Sequence, residues 1–178
     1  MNLGKRLARA DIETLREIIR EAESYLAAQL AAGVAADQRA LALSGMLAAA
    51  SAVIASGGIS LLVGMEKDFI LGSLAMAVAF GFIMAMLFSI ISAAPRVFNF
   101  VGTFPSNWVD DIERNINLSE SLAEQAGHYD NILKQNNEIL RKNGKMMRWS
   151  IWVAWSSIVI GFFSGCLLVV WRNFACHN

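Results

Sequence analysis

Four cations, Arg141, Lys142, Lys145 and Arg148, fall within about two helical turns. Lys134, with Asn137 between it and Arg141, extends the same polar face, and Arg39 is a sixth candidate far upstream. Ammonium and guanidinium groups so spaced suit phosphate, carried by a nucleotide or oligonucleotide or by acidic lipid headgroups. Around these cations runs a second pattern. Leu122, Ala126, Tyr129, Leu133, Asn136, Leu140, Asn143 and Met147 step by four and three, a heptad seam. One seam position holds Tyr129, Asn136 and Asn143. Buried Asn there fixes register or oligomeric state at a loss of stability; alternatively, the polar groups line a wet axis or a ligand groove. Tyr129, Leu133, Asn136, Leu140, Asn143 and Met147 are therefore read as an oligomer seam or axis.

Catalytic chemistry has no comparable set of residues. The chain carries no nucleophile–base–orienter combination and no phosphate-cradling glycine loop of the P-loop kind. Asp110, Asp111 and Glu113 read as a helix N-terminus that complements the dipole rather than as a metal site. The expectation is a protein that is not an enzyme and uses no cofactor or metal.

The elements that carry these residues follow from composition and charge. Of 178 residues, 56% are hydrophobic and 17% charged, with no net charge to recruit nucleic acid. Mean hydropathy is +0.45. Asp, Glu, Lys, Arg and His are absent from Ala40 to Met65, from Phe69 to Pro95 and from Trp149 to Trp171. A helix needs ~20 such residues to cross ~30 Å of hydrocarbon, and barrel strands would alternate over ~10 residues instead. The expected fold is thus an all-α integral membrane protein with three transmembrane helices, at about 40–64, 69–95 and 149–171. Glu66, Lys67 and Asp68 leave room only for a tight hairpin between the first two. Residues 1–39 form an amphipathic helix with Ile12, Leu15, Ile19, Ala22, Leu26 and Leu30 on one face, running on into the first span with Gly33 as a weak point. Residues 96–148 form a loop, with short helical turns, and a long heptad helix from Leu118; 172–178 are a short tail.

Thirteen of the 15 Lys and Arg residues lie before the first span or between the second and third, leaving Lys67 and Arg172 on the other side. The positive-inside rule makes the thirteen cytoplasmic, with the hairpin and the C-terminal tail outside. His128 and His177 then lie on opposite sides of the membrane, so one chain cannot form a two-His metal site. Trp149, Trp152 and Trp155, with Trp171, mark the two interfaces of the third span. The N-terminus lacks the apolar stretch of a cleaved signal, and neither end carries a lipidation motif. Cys166 and Cys176 are too far apart on a continuous helix to form a bridge, although Cys176 could pair between subunits.

Transmembrane helices associate through small residues. The first span has one at every fourth position from Ser44 to Gly64. The second has Ser73, Ala77, Gly81, Ala85, Ser89 and Ala93, and the third has Ser157, Gly161 and Gly165. These stripes serve the packing of the hairpin or contacts between subunits; Ser73, Ala77, Gly81, Ala85, Gly161 and Gly165 are the packing candidates. Their number favours a homo-oligomer. No ionisable group lies within the runs, which argues against a pump or proton-coupled transporter and leaves a passive pore open.

Ala36-Asp37-Gln38-Arg39-Ala40, at the entry to the first span, resembles the Ala-Asp-x-Lys-Ala entry of small membrane effectors in bacterial anti-phage nucleotide signalling, the Pycsar-type transmembrane effectors. Arg39 stands where that pattern has Lys. The third span departs from the two-span group and looks like what a Hailong-type channel effector would need. The resemblance covers roughly Leu26 to Arg96. It implies a channel or pore in the bacterial inner membrane, gated by a nucleotide or oligonucleotide from a partner nucleotidyltransferase. An unregulated holin-like pore and a structural membrane subunit are the alternatives.

Overall fold

The computed structural model describes residues 3–65 and 67–176; Glu66, His177 and the side chain of Cys176 lie outside it. Among the described residues the chain is all-helical. Its elements are α1 (Leu3–Leu7), α2 (Ile12–Val63), α3 (Phe69–Ser92), a 3-10 turn at Pro105–Trp108, α4 (Val109–Glu113) and α5 (Leu118–Cys176). α2, α3 and α5 each contain a stretch long and apolar enough to cross a membrane. The two prolines, Pro95 and Pro105, both fall between α3 and α5. Nothing therefore interrupts the 52 residues of α2 or the 59 of α5. Asp11 opens α2 by accepting from the Thr14 N–H at 3.3 Å, and Asp68 caps α3 by accepting from the Leu71 N–H at 3.0 Å. α3 ends at Ser92, short of the span boundary at 95, because Pro95 disfavours helical backbone at the residue before it. α5 instead runs past Trp171, so residues 172–176 are helical rather than a loose tail.

Two compact units divide the chain: Met1–Ala35 with Pro95–Arg141, and Ala36–Ala94 with Lys142–Asn178. The first, which carries the loop, has an apolar core. Leu15, Ile19 and Leu26 of α2 pack on Leu122, Ala123, Ala126, Tyr129 and Ile132 of α5. Each leucine or isoleucine among them, removed from water, contributes ~1.5–3 kcal/mol. At Gly33 α2 continues unbroken and makes a close approach: a Cβ there would lie 3.2 Å from the Phe98 ring and 3.5 Å from Leu140 Cδ2.

The second unit carries the three charge-free runs. Leu47, Phe82, Ala85 and Ala154 form its small core. Ser89 Oγ donates to the Ala40 carbonyl at 2.7 Å, Ser92 Oγ to the Asn143 carbonyl at 2.8 Å and Ser150 Oγ to the Ala85 carbonyl at 2.7 Å. Gly58 and Gly72 bring α2 and α3 together; a Cβ at Gly72 would lie 2.8 Å from Leu62 Cδ2. Gly81 faces Ser157, and Gly161 faces Val78, where α3 meets α5. The arginine at the end of α5, Arg172, pairs with Asp68 at 2.5 Å.

The small-residue stripes are used only in part within the chain. Ser73 and Ala77 are exposed, while Gly72, Ala79, Phe82, Ala85, Ser89 and Ser92 form the buried face of α3. A strict step of four turns a helix by about 400°, so each step drifts ~40° and five steps reach the far side. Packing follows the alternation of three and four instead. Gly165 likewise has open space around it.

Candidate functional site

α5 places one polar residue at every seventh position, at 129, 136, 143 and 150, and all four are buried. In the loop-bearing unit the first two are engaged by segments distant in sequence. The Tyr129 hydroxyl donates to Glu23 Oε1 at 2.9 Å and accepts from the Gly102 N–H at 3.1 Å. Burial and then the neighbouring Glu23 raise the phenol above its ordinary range, since both disfavour the phenolate. Gly102 has φ +99, which a side chain would resist, and so delivers its N–H to Tyr129. Asn136 grips one residue of the loop at both ends: Oδ1 accepts from the Asn99 N–H at 3.2 Å and Nδ2 donates to the Asn99 carbonyl at 3.1 Å. The Gln29 amide donates to the Leu133 carbonyl at 3.2 Å, and its own Oε1 is buried without a partner. Asn143 is 5% exposed, and its Oδ1 also lacks a partner. Tyr129 and Asn136, read from sequence as an oligomer seam or wet axis, are thus taken up inside their own chain. Leu133, Leu140 and Met147 are only partly buried, and Ile132, off the expected seam, is in the core.

Three cavities of about 500, 400 and 380 Å³ open in the loop-bearing unit, and His128 lines all three. The second is the most varied chemically, with Trp108, Arg114, Asp110, Asp111, Gln125 and the Tyr129 ring among its lining residues. Its size suits a small organic ligand. Trp108 offers a ring face for stacking, the carboxylates accept hydrogen bonds, and Arg114 offers a fork of donors. Asp110 and Asp111 lie in the first turn of α4, where they complement its dipole as expected. No cluster of three metal-ligating side chains occurs among the described residues.

The six phosphate candidates line none of these cavities. Arg39, Lys134, Arg141, Lys142, Lys145 and Arg148 are all exposed on helix surfaces. Lys134 pairs with Asp130 of its own helix at 2.6 Å. His128 and Trp108 carried no sequence signal, since a single exposed His and a loop Trp belong to no period; the folding of residues 99–116 against α5 makes them neighbours of the second cavity. Against this geometry, no family model, no curated protein and no solved structure matches the chain.

Proposed function

We propose that the chain is a homo-oligomeric membrane effector of the bacterial cytoplasmic membrane, an ion channel or pore gated by a nucleotide or oligonucleotide. The observation that carries this reading is the pair of unbroken helices, α2 and α5, each of which supplies residues to both units. A ligand that favours one arrangement of the loop-bearing unit biases both helices, and through them the spans, provided it binds the two states with different affinity. The cavity lined by Trp108, Arg114, Asp110 and Asp111 is the receiving site: a base stacks on the indole, and its edge donates to the carboxylates. The absence of ionisable groups within the runs favours passive conduction. Three spans do not enclose a water path alone, so several copies surround it. The thirteen-to-two asymmetry of Lys and Arg puts the loop-bearing unit in the cytoplasm, where a partner nucleotidyltransferase would supply the messenger.

Ion flux from vesicles holding the purified chain tests the reading, with cyclic mononucleotides and short oligonucleotides added to the face that carries the cations. Flux that changes severalfold with one of these supports it, and Trp108→Ala then abolishes the response. Constant leakage without ligand assigns the holin-like alternative, and no flux under any condition assigns a structural subunit.

A further inference from the structure

The cations that the cavities leave aside share one helix with a row of tryptophans. At 3.6 residues per turn, Arg141, Lys145, Arg148, Trp152 and Trp155 fall within about 40° of a common line along α5. Asn143 and Ser150 lie on the opposite side, about 180° away, and are buried at 5% and 0% exposure. Trp152 and Trp155 are 69% and 60% exposed, and the three cations are exposed as well. The outward face of α5 thus changes within four turns from three positive charges to two indoles and then, on the same line, to Val159 and Phe163, which are 45% and 62% exposed.

We infer that this stripe is a binding site for an anionic glycerophospholipid. Lys145 and Arg148 hold the phosphate. Trp152 and Trp155 take the glycerol and ester level, where amphipathic rings are most stable. Val159 and Phe163 carry the acyl chain. Charge complementarity selects an acidic headgroup, and continuity with the apolar run commits the occupant to a lipid rather than a free anion. A soluble nucleotide has the same phosphate chemistry and a base to stack on an indole, but no acyl chain for Val159 and Phe163 beyond. The inference requires only that α5 spans a membrane; it stands even where no ligand changes ion flux.

The full chain in phosphatidylcholine vesicles, doped with brominated phosphatidylglycerol or with brominated phosphatidylcholine, provides the test. Bromine quenches nearby indoles, so the ratio of the two quenching curves reads the preference of the stripe. The acidic lipid is expected to quench more strongly, and Lys145→Gln with Arg148→Gln to reduce its relative affinity about tenfold. The charge-preserving pair Lys145→Arg with Arg148→Lys retains the preference, and so does Lys67→Gln. Equal quenching by both lipids in the native chain overturns the proposal. So does a preference that survives removal of both charges in a variant with native helix content. Loss of the preference on adding inorganic phosphate or adenosine monophosphate assigns the stripe to a free phosphate and overturns it as a lipid site.

Discussion

In the unit formed by Met1–Ala35 and Pro95–Arg141, the most deeply buried large side chains are Leu15, Leu26, Tyr129 and Asn136; in the unit formed by Ala36–Ala94 and Lys142–Asn178, they are Ser89 and Ser150. Large apolar side chains are exposed in both units, in the first on the irregular segment (Val97, Phe100, Phe104, Ile112) and in the second along the charge-free helices. Met46, Val53, Phe80, Phe162 and Leu167 of the second unit are all more than 60% exposed. Water rewards the burial of Leu15 and Leu26. Lipid does not, because a leucine gains nothing by leaving one hydrocarbon for another. What the span-bearing unit gains from association is close backbone approach at Gly58, Gly72, Gly81 and Gly161, together with serine hydroxyls paired to carbonyls. One chain therefore follows two sets of packing rules, and α2 and α5 each pass from one set to the other without a break.

That difference is open to direct attack by substitution. Leu26→Ala, at 1% exposure, is expected to lower stability by ~2–5 kcal/mol, whereas Leu167→Ala, at 69% exposure on the apolar surface of α5, leaves thermal unfolding in detergent almost unchanged. Gly161→Val forces a branched side chain onto Val78 and should lose ~1–3 kcal/mol. Gly165→Ala has open space and should gain up to ~1 kcal/mol from helix propensity. Asn136→Leu strands the Asn99 N–H and carbonyl, a loss of ~1–3 kcal/mol visible as proteolysis of the 96–117 loop. By contrast, Asn143→Leu removes an oxygen that is already unpartnered and should leave stability unchanged or raised.

The smallest expected effect is a dependence on pH. Arg172, and then the Leu71 N–H, hold the Asp68 carboxyl below its ordinary value of 3.8. A depressed folded value means that the pair contributes fully above the ordinary carboxylate range and is lost as pH falls through the folded value. A melting profile of the native chain should decline on that acid limb, and Asp68→Asn should flatten it.

Much of this was readable before any fold was known, because lipid imposes a constraint on composition that survives without contacts. Three runs without charge identified three apolar helices, and the heptad step from Leu122 to Met147 passes through buried Leu122, Ala126, Tyr129, Asn136 and Asn143 but leaves Leu133, Leu140 and Met147 only partly buried. The partner of that line was not readable. Asn99 lies 37 residues from Asn136 in a loop without period, so a seam that looked available to other subunits is filled within the chain. The close approach at Gly33 was not readable either: a helical glycine carries the same letter whether or not it admits a ring such as that of Phe98. The every-four stripes divide for a geometric reason: a row that looks straight in sequence winds around a real helix, so Gly81 and Ala85 pack within the chain while Ser73 and Ala77 stay outside it. Two of the three cavities around His128 depend on the fold of an irregular segment, which periodicity does not describe.

The most direct measurement is the labelling of single cysteines in intact membranes, in a chain carrying Cys166→Ala and Cys176→Ser. Val53 and Phe163 are 73% and 62% exposed, and Phe104 and Ile112 are 77% and 72% exposed, so the fold alone gives all four similar access. If the first pair faces lipid and the second faces water, a water-soluble maleimide labels cysteine at 104 and 112 within minutes and leaves 53 and 163 unmodified until detergent is added. Rapid labelling at 53 or 163 in intact membranes would contradict the assignment of the span-bearing unit to the bilayer.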